Sequence, residues 1–175
     1  MDFTQLFLIA KKEGFSLEFS RLVSQMNYIR GRLKQEVKDL TVEELDFRMD
    51  EESNSIGMLL AHIHALNAAY NIETFEGREL TEEDINRLNP ALQLGQPAQS
   101  IKGYTNDYYL SNLEESRKYT FDQFKALSDE WLYVETDFWF GNKANNYFKW
   151  THVMTDEQAH VGQIRLLKKF MSRNT

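Results

Sequence analysis

The 175-residue chain contains no cysteine. That excludes disulfides, thiolate metal sites and a cysteine nucleophile, so any thiol chemistry must draw its sulfur from outside the chain. Proline is almost as scarce. The two present, Pro90 and Pro97, sit close together and leave long stretches free to be helical. No apolar run approaches the ~20 residues of a membrane span. The N-terminal "LFLIA" is too short for a signal sequence and follows Asp2 rather than a basic stretch. The expectation is a cytoplasmic protein with no membrane partner. Positive charge is also in deficit, with 20 Lys and Arg against 27 Asp and Glu, a net charge of −7. A nucleic-acid backbone or an anionic lipid surface needs a cationic face, so neither is expected as main partner. The basic "LLKKFMSR" near the end suits a helix C-terminus, where lysines offset the helix dipole. Internal repeats and low-complexity segments are absent, as are dinucleotide-binding glycine fingerprints, Walker loops and Gly-x-Ser-x-Gly elbows. The length fits one domain over 1–175 with one sizeable core.

What is present is helical periodicity. Over 16–38, Phe19, Leu22, Val23, Met26, Ile29, Leu33 and Val37 recur at three-four spacing. "TVEE" at 41–44 has the pattern of a capping box opening a short helical turn. A second helix is expected from about Ile56 to Phe75, capped by Asn54 or Ser55. It carries Leu59, Leu60, Ile63, Leu66 and four alanines and is apolar over most of its circumference, which marks a central helix. "TEED" at 81–84 predicts another short helical turn, and "NPALQLGQPAQS" reads as loop. A third long helix covers roughly 104–127 and the last about 146–172. Between them, "WLYVETDFWFGNKANNYFKW" is rich in strand formers around Gly141-Asn142 and predicts a hairpin-like or irregular excursion. Four long helices make a four-helix bundle the natural all-α architecture.

All four histidines lie on two of these helices: His62 and His64 on the second, His152 and His160 on the last. His152, Asp156 and His160 stand four apart and form one polar line, which continues into Ile164, Leu167 and Met171, a core seam. A carboxylate on that line needs a cation, because an unpaired buried charge costs several kcal/mol. A buried Arg or Lys, a protonated His160 or a divalent metal would each serve. Asp156 and His160 can reach one ion, whereas His152 and His160, about 12 Å apart along the axis, are poorly placed to share one. Glu157-x-x-His160 is half of a di-iron motif, but the required second copy is absent. On the second helix His64 is offset from His62 by about 200°, and periodicity alone does not choose between them.

"SIGMLLAHIHAL" at 55–66 and "HVMTDEQAHVGQIRLLKK" at 152–169 resemble the two signature segments of the DinB/YfiT-like superfamily, most specifically in "AHVGQIR". The resemblance spans roughly 16–172. It implies a four-helix bundle with a divalent metal (zinc, nickel or iron) held by one histidine of the second helix and two of the last. By position these are His62 and His160, with Asp156 where the family usually has a histidine. His152 matches a frequent upstream histidine and is expected to be supporting only, and Gln163, one turn beyond His160, to orient a ligand or to pack. The superfamily includes transferases that use low-molecular-weight thiols, a thiol-dependent isomerase and members described as metal-dependent hydrolases. The implied function is metal-dependent thiol S-transfer, or hydrolysis, on a small electrophilic substrate. Against it stands a non-catalytic bundle with a degenerate metal site, acting as a ligand-binding or dimeric interaction protein. Family members often form homodimers, to which the aromatic "YTNDYYL" could contribute.

Overall fold

A computed structural model describes residues 7–174. Leu6, which begins the apolar N-terminal stretch, Thr175 and the side chains of Arg173 and Asn174 lie outside the described residues. Four long helices carry the fold: α1 (Leu17–Val37), α3 (Ile56–Asn71), α5 (Asn106–Ala126) and α6 (Asn146–Asn174). Two shorter ones intervene, α2 (Val42–Asp46) and α4 (Glu82–Gln93), and a two-stranded antiparallel hairpin, β1 (Glu135–Asp137) and β2 (Lys143–Asn145), precedes α6. Side-chain caps set the helix starts, as the sequence predicts at Thr41 and at Ser55. The side chains of Ser16, Thr41, Ser55, Thr81 and Thr105 each accept from a backbone N–H in the first turn. A π-helical turn at Ile72–Glu76 carries α3 on to the expected end near Phe75.

α1 and α3 each pack on both α5 and α6, which closes the bundle. One end of the core is aromatic, with Phe19, Phe124, Trp150 and Tyr70 buried together. The other is aliphatic, built from Leu33, Leu59, Ile63, Leu113, Val161 and Ile164. Among the described residues no helix is long and apolar enough to cross a membrane.

One segment departs from its sequence reading. "TEED" opens a helix of 12 residues, and α4 runs through Pro90 to Gln93, into the stretch read as loop. Pro90 falls in the last turn, where its missing N–H forfeits a single helical bond. Leu88 and Ala91 pack on Ala65 of α3 and Ile72 of the π-helical turn, and Ala61, Ala68 and Ala69 border the same contact. Burial of that face outweighs the proline. It also explains why α3 is apolar nearly all round: its alanine side, which a bare four-helix bundle would leave open, is covered by α4.

Candidate metal centre

His62 on α3 and Asp156 and His160 on α6 converge where those two helices pack. Their ligand-capable atoms all lie within 4.8 Å of one another. His62 Nε2 is 3.5 Å and His160 Nε2 3.3 Å from the same Asp156 oxygen, Oδ2, and the two rings meet edge to face with centroids 4.8 Å apart. Both imidazoles are buried, and Asp156 is partly open to solvent.

The outer nitrogens determine which lone pairs face inward. His62 Nδ1 lies 2.9 Å from the carbonyl of Ala91, and His160 Nδ1 lies 2.9 Å from Gln163 Oε1. Each partner accepts, so each Nδ1 carries a proton and leaves Nε2 with a lone pair directed at the cluster. The Ala91 carbonyl is free because the last four carbonyls of a helix have no intrahelical donor. The end of α4 therefore orients His62. Asp156 Oδ2 and His160 Nε2 are buried with no hydrogen-bond partner. With both imidazoles neutral, two lone pairs and a carboxylate meet without a donor, a set that a divalent cation fits. Burial opposes charge on Asp156, but His160 and His62 reverse this and hold its carboxyl well below the usual carboxylate range. Burial likewise opposes charge on His160, and Asp156 and Gln163 turn the shift upward.

His64 points elsewhere. Its Nδ1 bonds the Asn112 carbonyl of α5 at 3.0 Å, and desolvation lowers its pKa. His64→Ala is therefore expected to leave metal stoichiometry intact while His62→Ala abolishes it, as elemental analysis of the two variants would read. Gln163 bears on one ligand from outside the cluster. Gln163→Leu should weaken zinc binding by about 10–100-fold in a competition titration, the usual effect of losing such a support, and unchanged affinity would assign Gln163 to packing alone.

His152 stands apart from the cluster, with Nδ1 3.1 Å from the Tyr70 hydroxyl. Glu157, the half-motif residue, takes no part. It is buried between Arg30, whose Nε and Nη2 lie 2.6 and 3.1 Å from its two oxygens, and Arg117, whose Nη2 lies at 2.5 Å. A cleft of about 840 Å³ opens beside the cluster, lined by His62 and Asp156 and by Leu66, Tyr70, Leu92, Trp139 and His152 among others. Sequence reasoning missed the Ala91 carbonyl, Tyr70 and Trp139. Tyr70 falls inside the expected second helix with nothing in its spacing to single it out, and a backbone acceptor leaves no mark in a sequence.

A helix bundle with this two-helix cluster defines a protein of the DinB/YfiT-like class. The model of one family in that class, mycothiol S-transferase, matches residues 21–172, and the chain belongs to that family. Solved structures share the fold. A conserved protein from Enterococcus faecalis superposes with a TM-score of 0.68 at 15% identity, covering 91% of this chain and 97% of that one. An uncharacterised protein from Clostridium difficile 630 gives 0.65 at 18% identity, covering 85% and 94%. A protein from Streptococcus pneumoniae gives 0.65 at 15% identity, covering 93% and 94%. At such identities the likeness is one of fold alone. No curated protein sequence matches the chain.

Proposed function

We propose that the protein is a divalent-metal-dependent S-transferase that joins a low-molecular-weight thiol to a small electrophile. His62, Asp156 and His160 hold the metal. The observation that carries this reading is the pair of buried, unpartnered atoms, Asp156 Oδ2 and His160 Nε2, facing His62 Nε2 across a gap. Three protein ligands leave room for one more group, and a divalent ion there would lower the pKa of a bound thiol toward neutrality. The chain's own residues do the rest. Ala91 and Gln163 fix the imidazole tautomers. Asp156 supplies one negative charge, so a divalent ion held there would retain net positive charge to favour a thiolate. The cleft, with Leu66, Leu92 and Trp139 in its lining, shields an apolar electrophile from water.

Membership in a thiol-transferase family favours transfer over hydrolysis. Protein purified without a polyhistidine tag is expected to contain close to one divalent ion per chain and to conjugate a thiol to an electrophile from a test panel. His62→Ala and His160→Ala should lose metal and transfer together. Metal-loaded protein without transfer across thiol types, or transfer at wild-type rate in metal-free protein, would overturn the reading.

A further inference from the structure

The cleft has a second polar handle, away from the metal cluster. His152 lines it one helical turn before Asp156. Its ring is clamped. Tyr70 stacks on one face, with centroids 5.8 Å apart and 20° between planes, and Trp139 meets it at 5.0 Å and 89°. The bond to His152 Nδ1 is the one hydrogen bond the Tyr70 hydroxyl makes among the described residues. Burial, with Glu73 and Asp156 adding to it, pushes that hydroxyl's pKa up, so it keeps its proton. In the neutral ring the hydroxyl either accepts from Nδ1–H or donates to Nδ1, and in the donating arrangement the ring proton sits on Nε2. When the imidazole is charged, both nitrogens carry protons. With the hydroxyl donating, or with the ring charged, Nε2 presents an N–H, and it has no protein partner among the described residues.

The aromatic side of the cleft is held rigidly. Trp139 is 52% exposed although it stacks on Phe138 at 4.6 Å. An indole left open over a cleft is an unusual use of apolar surface unless something covers it. Its hairpin is pinned by Lys149, which is fully buried, donates to Thr136 Oγ1 at 2.7 Å and to the Asp137 carbonyl at 3.3 Å, and pairs with Glu73 of the π-helical turn.

We propose that this wall is the electrophile subsite: a flat, conjugated carbonyl compound lies against Trp139 and accepts a hydrogen bond from His152 Nε2–H at its oxygen. The inference rests on the transfer reading for the role of the bound molecule but not for its binding. For an aryl enone the thiol sulfur bonds the β carbon, and the C=C π pair moves toward the carbonyl oxygen. The proton given up by the thiol returns at the α carbon. His152 bears on the oxygen where charge gathers, and is a positioning residue for the substrate.

The test uses 4-phenylbutan-2-one, which has the ring and carbonyl but no double bond to attack, and butylbenzene, which has the ring alone. Binding to the purified protein is read by calorimetry and tryptophan emission. His152→Phe keeps a ring between Tyr70 and Trp139 and removes the N–H. It should weaken the ketone about tenfold, the size of one hydrogen bond, and leave butylbenzene unchanged. His152→Gln, which restores an N–H donor, should recover most of the ketone affinity. Trp139→Ala should weaken both probes. With 4-phenylbut-3-en-2-one and a thiol, His152→Phe should raise KM for the enone and not for the thiol. Equal losses for both probes in His152→Phe, no loss for the ketone, or no recovery in His152→Gln would overturn the subsite. Residue-dependent ketone binding without any thiol transfer would instead sink the transfer reading and leave the subsite standing.

Discussion

Chelation is expected to lower the melting temperature of the wild-type protein, and added zinc or iron(II) to restore it. A ligand that binds only the folded state stabilises it by mass action, by about 4 kcal/mol when its free concentration exceeds the dissociation constant a thousandfold. The unfolded chain offers no competing thiolates. Asp156→Asn keeps the side chain's shape and removes its charge, so the response should shrink strongly in that variant. In ion-free protein Asp156 faces two imidazoles at 3.3 and 3.5 Å, and a proton taken up by either ring pairs with it. The substitution therefore brings no relief from an unpaired buried charge, and ion-free Asp156→Asn should melt no higher than ion-free wild type. Thermal scans of both proteins, with and without chelator, read all four states. A wild-type curve indifferent to chelator and to added metal, in protein shown to hold none, would leave the cluster as a hydrogen-bonded structural feature.

Glu157→Gln should cost about 3–5 kcal/mol of folding stability, the penalty of leaving buried cations without their anion. Two guanidiniums converge on this carboxylate, and both are almost wholly buried. Burial and the neighbouring Arg30 draw the pKa of Arg117 down to about 10, still cationic at neutral pH. Burial also opposes charge on Glu157, and the two arginines more than reverse it, lowering its pKa from 4.5. For an acid with a depressed folded pKa, the stabilisation is fully present above the unfolded value of about 4.5. It is lost as pH falls through the folded one. Denaturant titrations should thus show wild type losing stability below about pH 4.5 and Glu157→Gln losing less over the same interval. Replacing Arg30, Glu157 and Arg117 together by apolar residues of similar volume should recover much of the loss, since no stranded charge remains. A Glu157→Gln cost below about 1 kcal/mol would mean that the guanidiniums find other partners or water.

The long helices could be read from the sequence because they repeat apolar residues at the helical period, and α3 also because Ser55 marks its start. The cluster could be read because a carboxylate at a core-facing position must be compensated, and because "AHVGQIR" resembles a known ending. α4 was hidden by Pro90, whose local preference lost to the packing of Leu88 and Ala91 on an alanine-lined face. Glu157 was misleading in isolation. Its partner Arg30 falls on the buried stripe of α1, between Ile29 and Leu33, and a cation on an apolar stripe is a readable sign that a buried anion faces it. The aromatic wall was not readable, since strand formers around a turn say nothing about which side chains lean over a cleft.

The support for His62 comes from the backbone of Ala91 at the end of α4. A support of that kind has no side chain to lose. Point changes at residue 91 leave the acceptor in place as long as the helix stays put, whereas Gln163 can be removed from beneath His160 by a single codon. The two imidazoles are therefore exposed to different kinds of genetic damage. One is vulnerable to substitution. The other is vulnerable to insertions and deletions in α4, because adding or removing one residue would rotate a different carbonyl, or none, toward the ring.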